Sequence, residues 1–526
     1  LAGNQYSGYV GDDWHPGERL SFTFGLRGDV LRIDGSAPRN PAIESLFGRR
    51  TDEMPTSSVH ISPRFGFSWD LGGASPQRVR GGVGVFTGRP LLAWVQPARL
   101  NYGIGIGRLQ CGSGTADLGP PPMFRPDYRS PPTSCSGGGG VQKPPLGDVD
   151  LLAPNLRPPQ ALRGSLAYER RLPWNILSTT EVLVTRYMSD FLFVNLNLVG
   201  PQTVDRFGRV MYGTIGASGV AKAALKADSF PAVIELQNTS KNYSRQLTTR
   251  LERPFARGFA GMVSYTFSQM RDVASPSRVL QASIATWADA RTVSGRHDEL
   301  VPGVSLNDLP HRLTAAVTYG APWHRGATAF AFYYVGESGT PFAYRAGGVR
   351  GLGDLNADGS NINDPIYVPR NSFDSTEIRF AALSDSVGAD RSPTAQAERV
   401  RRQQSAFEEF INRTECLSRQ RGRIVERNSC REPWSHTTIA ALRQSFPVGA
   451  RMIEAELDAF NVLNLLNAAW GQYHVADPRI LEHVGQTSDS TATAQSVFRF
   501  ASPRPQWTTL KTESAYQLQI ALRYRF

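Results

Sequence analysis

The sequence predicts an all-β chain folded as an antiparallel transmembrane β-barrel. Three observations predict it. Segment after segment alternates apolar and polar side chains, tight Pro- or Gly-bearing turns join these segments in pairs, and long polar stretches separate the pairs. A strand sends successive side chains to opposite faces. One apolar and one wet face therefore suit a wall between lipid and water, with short turns on one side and long loops on the other.

Leu20–Arg27 and Arg312–Tyr319 alternate cleanly. Phe259, Val263, Tyr265 and Phe267 share one face, opposite Ser264, Thr266 and Ser268. Ile439, Ala441 and Arg443 oppose Ala440, Leu442 and Phe446, less cleanly. Met452–Phe460 sets Glu454, Glu456 and Asp458 against Ile453, Leu457 and Ala459. In the last strand Tyr516, Leu518, Ile520, Leu522, Tyr524 and Phe526 share a face, opposite Gln517, Gln519, Ala521, Arg523 and Arg525. Tight turns are expected at His15–Arg19, Arg171–Asn175, Ala321–Gly326 and Phe446–Gly449, where Pro fixes φ and Gly permits positive φ. About 14 strands are expected, each crossing the membrane with roughly 9–11 tilted residues. The charged residues expected to face the lumen are Arg27, Arg312, Glu454, Glu456, Asp458, Arg523 and Arg525. They would set its field or pair with one another.

The whole chain, 1–526, is expected to be barrel wall, with outer loops near 31–59, 89–159, 188–231, 270–309, 337–434 and 466–505. Structureless loops of that length fit poorly in a compact soluble domain. No run of 18 apolar residues occurs, which excludes helical spans but not strands. Trp14, Trp69, Trp174, Trp323 and Trp434 lie near strand ends, as an interfacial aromatic belt would. The net charge is +11, and nine arginines cluster between Arg399 and Arg431. No zinc spacing, aromatic platform or recognition helix accompanies them, so nucleic acid is not an expected partner. They would meet lipopolysaccharide phosphates or an anionic substrate, or form a solvated loop.

Four cysteines allow three pairings, and their spacing favours the local ones, Cys111–Cys135 and Cys416–Cys430, in an oxidising compartment. The sharpest local motif is Gly353-Asp-Leu-Asn-Ala-Asp-Gly-Ser-Asn-Ile-Asn-Asp364. Asp354, Asn356 and Asp358 alternate before Gly359, like the front half of a calcium loop, but Pro365 stands where the terminal glutamate is expected, and Asp364 or a backbone carbonyl would have to substitute. The bland reading is an Asx-rich turn held by its own side chains. No HExxH, CxxC, GxSxG or P-loop is present, and Gly137–Gly140 lacks phosphate-loop spacing, so no enzyme is expected. His297 lies in a long loop without an assigned role, and His311 is expected to be structural.

Several segments together resemble the Oar-like group of TonB-dependent outer-membrane receptors. They are Tyr9–Pro16 with Arg19–Asp29, Ile61–Asp70, Ser264–Ser268, Leu309–Leu313, Asn356–Gly359, Asp458–Asn464 and the strand ending in Phe526. Each is weak alone; their order covers nearly the whole chain. The resemblance implies a bacterial outer-membrane transporter performing no covalent chemistry, with a barrel of about 22 strands and an N-terminal plug. The plug would be coupled to TonB-ExbB-ExbD, the substrate would be external and unidentified, and the barrel-assembly machinery would read the final strand. With about eight of those strands and the plug not visible here, the chain is expected to be the C-terminal two thirds of such a barrel, or else to close a smaller one. A passive pore or an adhesion- or secretion-related surface barrel is the alternative. A soluble secreted calcium-binding β protein is the distant one.

Overall fold

The computed structural model describes residues 2–73, 75–89, 95–104, 111, 119–127, 129–130, 132–136, 148–275, 287–288, 297, 299–323, 326–348, 351–382, 390–449, 451–487, 494–501 and 505–526. Gly137–Gly140 and the Trp323 side chain, both singled out from sequence, lie outside the described residues.

One sheet dominates. Its main path is thirteen strands in sequence order: Ala2–Gly17, Leu20–Asp34, Val59–Asp70, Gln77–Thr87, Gln160–Leu172, Ile176–Asn195, Tyr243–Ala256, Phe259–Asp272, His311–Trp323, Gly326–Glu337, Ser435–Val448, Arg451–Phe460 and Gln517–Arg525. Every neighbouring pair on this path is antiparallel. Short connections alternate with long ones, so all the short connections lie at one end of the sheet. Several of the turns use left-handed backbone: Trp174 and Asn175 have φ of 58° and 61°, Arg257 and Gly258 have 54° and 78°, and Gly449 has 64°. Two consecutive residues at positive φ match the twist of paired strands.

The alternation sorts solvents. Phe24, Leu26, Val182, Leu247, Leu251, Val263, Phe330, Leu442, Leu457, Leu518, Ile520 and Leu522 stay exposed on one face. Trp14 stacks on Phe22 at 5.4 Å, and Phe65 on Phe22 at 5.9 Å, so aromatic packing runs across strands on that face. A water-soluble chain would cover so large an apolar surface. No helix among the described residues is long and apolar enough to cross a membrane. In this chain the strands supply the apolar faces.

The expected barrel is not what forms. Ala2–Gly17 pairs only with Leu20–Asp34, Gln517–Arg525 pairs only with Arg451–Phe460, and no ladder joins the two ends among the described residues. The sheet is open, with an unpaired strand at each edge. Strand parity gives the physical reason. In an up-and-down path of thirteen, the first and last strands run the same way, whereas an all-antiparallel closure needs an even number. The all-β expectation is corrected too, since a 21-residue helix, Pro393–Arg413, lies between the tenth and eleventh strands.

The loops carry the packed core. That helix starts at Ser392, whose hydroxyl accepts from Ala395 N–H, with Pro393 in its first turn. It buries Phe407, Phe410 and Ile411 against Tyr344, Ile366, Val368, Phe380, Leu417 and Phe500. Beside it Arg345–Gly347, Arg479–Gln486, Ser496–Arg499 and Arg379–Phe380 form a four-stranded sheet. A second core gathers Val95, Leu152, Phe193, Tyr212, Ile234, Leu236 and Trp287, where Val233–Thr239 extends the wall strand Ile176–Asn195. Long connections that read as structureless therefore fold into a cap at the long-loop end.

Candidate functional site

The polar face of the wall is an ion-pair lattice. Arg27 binds Asp29 at 2.8 Å, with Gln5 and Ser7 donating to the same carboxylate. Arg80 bridges Glu169 at 2.8 Å and Glu181 at 3.4 Å. Glu456 is only 5% exposed. It takes Arg443 at 2.5 Å and Arg523 at 3.2 Å. Glu454 takes Arg523 at 3.3 Å and Arg525 at 3.9 Å, and Arg312 lies 3.9 Å from Glu337. Asp458 sits opposite Ala441 and Gln519. The charges expected to face a lumen thus share one polar face and largely neutralise one another.

Tyr265 hydroxyl meets His311 Nδ1 at 2.8 Å, and Tyr334 hydroxyl meets His436 Nδ1 at 2.9 Å. His311 and Trp434 stack at 6.1 Å. These amphipathic rings cluster at the long-loop end of the wall, while exposed Trp14, Trp69 and Trp174 mark the short-turn end. Such belts sit at membrane–water boundaries.

Part of the arginine cluster is internal scaffolding, while Arg401, Arg402, Arg413, Arg419 and Arg423 stay exposed. Arg427 binds Asp272 at 3.3 Å, Arg431 binds Asp308 at 2.5 Å and Arg421 binds Glu408 at 2.6 Å. Arg399 donates to the carbonyls of Ala382 and Asp390. Arg427 and Arg431 tie the helical cap to the ends of wall strands. Two disulfides join Cys111 to Cys135 and Cys416 to Cys430.

Next to the helical core lies a small solvent-connected cleft with a cavity of about 60 Å³. Phe207 stacks on Tyr367 at 4.0 Å, and Arg206 lies over the Phe207 ring. Met211, Ile215, Leu355, Ile378 and Phe498 complete an apolar wall, with Glu377 and Gln495 at its polar side. Sequence reading missed this site because its parts come from five separate segments.

Leu355 links the cleft to the Asp354–Asp364 loop. The two oxygens of Asp354 accept from the N–H groups of Asp358 (3.2 Å) and Gly359 (2.9 Å). Asn356 Oδ1 also accepts from Asp358 N–H, at 3.0 Å. Asp358 Oδ2 gathers His297 Nε2 at 2.8 Å, Asn363 Nδ2 at 2.9 Å and Asn356 Nδ2 at 3.1 Å. Asp364 accepts from Leu355 N–H at 2.7 Å and pairs with Arg209 at 3.2 Å. All three carboxylates are buried. Burial, then repulsion from Asp358 and Asp364, pushes Asp354 up to about 8. Burial also lifts Asp364, to about 7, against the pull of Arg209. Burial acts upward on Asp358 as well, but His297 and Asn363 hold it below the ordinary carboxylate value. Gly359 has φ of 94°, and a Cβ on Gly353 would come within 2.6 Å of Gly348 N, so the loop needs both glycines. Asp354, Asn356, Asp358 and Asp364, picked out together in sequence, are brought together here. Arg209, His297 and Asn363 join them without any local sequence signal.

Among solved structures the chain is similar to the outer-membrane transporter YddB of Escherichia coli, at 12% identity and TM-score 0.42 over 100% of this chain and 45% of that one. It is similar to the siderophore receptor PirA of Acinetobacter baumannii, at 10% identity and TM-score 0.42 over 100% of this chain and 46% of that one. It is also similar to a point mutant of the ferric enterobactin receptor PfeA of Pseudomonas aeruginosa, at 11% identity and TM-score 0.39 over 99% of this chain and 45% of that one. The chain thus spans less than half the length of these proteins, and at such scores their substrates remain properties of those proteins. No curated protein matches the chain. The family model described as "Outer membrane beta barrel domain" matches residues 1–499. With an apolar wall face, a paired polar face and a folded loop cap, the chain belongs to the outer-membrane β-barrel domain family, and its place is the bacterial outer membrane.

Proposed function

We propose that the chain is the wall and outer cap of a TonB-dependent outer-membrane transporter of the Oar-like group. The observation that carries this reading is the division of labour between the two ends of the sheet. Tight turns occupy one end, and the other carries a packed cap with an aromatic-walled cleft. In this reading the segments around 31–59, 89–159, 188–231, 270–309, 337–434 and 466–505 face outward, and the cleft receives an external substrate. The paired charges of the polar wall face leave little net field. Energy would reach the wall through a plug in the complete protein, driven by TonB-ExbB-ExbD. The motifs spread from Tyr9 to Phe526 support the group assignment, and the cleft supports substrate capture at the cap.

The test uses the native protein in its own outer membrane. Formaldehyde cross-linking of intact cells, followed by mass analysis, is expected to join it to TonB through a segment outside these 526 residues. A native protein that never cross-links to TonB, and whose cells take up solutes equally with and without a protonophore, would be a passive pore instead.

A further inference from the structure

We propose that Asp354, Asn356, Asp358, Asn363 and Asp364 form a site for one calcium-like divalent cation, which fastens three cap segments beside the cleft. The geometry begins with charge. Among the described residues, the three buried carboxylates are met by one guanidinium, Arg209 on Asp364, and one imidazole, His297 on Asp358. Asp354 has only backbone N–H donors in the hydrogen bonds described above. A buried carboxylate without a counter-charge is costly, and a bound cation removes the cost.

A second observation is independent of the acidic cluster. Asn363 is 7% exposed, and its Oδ1 has no hydrogen-bond partner. Its amide lies inside the cluster, because its Nδ2 touches Asp358 Oδ2 at 2.9 Å. Asn356 likewise presents its Nδ2 to that oxygen. Two amides and an imidazole therefore crowd their donors onto one carboxylate oxygen. Turning the Asn363 amide about its terminal bond exchanges N–H₂ for C=O without moving the backbone, while Asn356 keeps its Oδ1 on Asp358 N–H. A cation held by Asp358 would then give the Asn363 oxygen the partner it lacks.

Among the described residues, no group of three or more His, Cys, Asp or Glu side chains is placed to hold a metal ion. The donor set here is mixed, carboxylate and amide, and the amide turn completes it. All-oxygen donors with flexible geometry select calcium over transition metals and over octahedral magnesium. Asp354, Asn356 and Asp358 stand at alternating positions, and Gly359 makes the sharp turn that such loops use. The cation would join this loop to Arg209 and His297, which lie in two other connections between wall strands.

The test uses the full chain in detergent and needs neither substrate nor energy, so it succeeds or fails separately from the transport reading. Terbium is the first probe. Tyr212 and Trp287 flank His297, with ring centroids 5.1 and 5.2 Å away, and can sensitise a lanthanide bound at Asp358. One sensitised site per chain is expected, displaced by calcium. Asp354→Asn, Asp358→Asn and Asn363→Leu should each weaken binding at least about tenfold, whereas Asp374→Asn, on the cap surface, should change nothing. Equal terbium affinity in parent and variants would place the ion on surface carboxylates and overturn the site. A second measurement needs no variant. Calcium should slow amide exchange at 353–365 in the parent protein relative to chelator. Unchanged exchange there would also overturn the proposal.

Discussion

His483 shows how one buried ring makes the cap sensitive to acid. It is fully buried, and its Nδ1 accepts the Gly353 N–H at 3.2 Å, so its proton belongs on Nε2. Burial pulls its pKa down to about 4. An unfolded histidine titrates near 6.5, so between these values the unfolded chain holds more protons than the folded one. The contribution of His483 is complete above about pH 6.5 and disappears as pH falls toward 4, a change of about 3 kcal/mol. Amide exchange at 479–486 should therefore accelerate over that window. His483→Gln can still accept from Gly353 but cannot titrate, and it should flatten the difference. A His483→Gln profile identical to the parent would remove this histidine as the cause. At this scale the sequence was informative wherever the signal was local. Alternating oxygen donors before a glycine marked Asp354–Gly359, and close spacing marked the cysteine pairs. Arg209, His297 and Asn363 were not legible as partners, because long-range folding brings the first two to the loop and burial alone gives the third its significance.

At the scale of elements, the helix Pro393–Arg413 was the main surprise. Its signals were present in the sequence. Ser392-Pro393 is a start signal, and Val400, Phe407, Phe410 and Ile411 recur at helical spacing. Its many arginines and glutamines made the same stretch read as loop, because only a narrow apolar stripe meets the core. What anchors its end is the Cys416–Cys430 bridge, which spans 14 residues and places Leu417 and Val425 in the core. Closing a loop of that size is worth about 3 kcal/mol in the chain-entropy account. A Cys416→Ala, Cys430→Ala double variant should therefore keep the wall but loosen residues 415–431. Limited trypsin digestion should then cut after Arg419, Arg421 or Arg423 far faster than in the parent, with unchanged strand content by circular dichroism. Resistance equal to the parent would mean that the packing of Phe407 and Phe410 alone holds the cap. The strands, by contrast, were legible because lipid and water act on alternate residues, which writes the element into a period of two.

For the whole molecule, closure was the part that local pattern could not encode. Alternation is a property of each strand, whereas closure depends on how many strands there are and which way the end strands run. Thirteen strands place Ala2–Gly17 and Gln517–Arg525 in the same direction, and among the described residues each keeps an unpaired edge. Unpaired backbone groups in lipid cost several kcal/mol each. The faces of the sheet, unlike its edges, are already assigned by Leu442 and its neighbour Ala441. Leu442 lies six residues from the Val448 end of its strand, exposed beside Phe330 and Leu457 on the apolar face. Ala441 points the other way, opposite Asp458. In a band about 25 Å tall, that height falls near the middle of the membrane. Leu442→Arg should cost about 2–4 kcal/mol in lipid vesicles, because the guanidinium meets hydrocarbon. Ala441→Arg, one residue away, should cost far less, because it meets the Asp458 carboxylate on the polar face. Reversible urea unfolding in vesicles measures both. Equal costs would mean that the two faces see the same solvent, and the assignment of lipid to the apolar face would fall with that result.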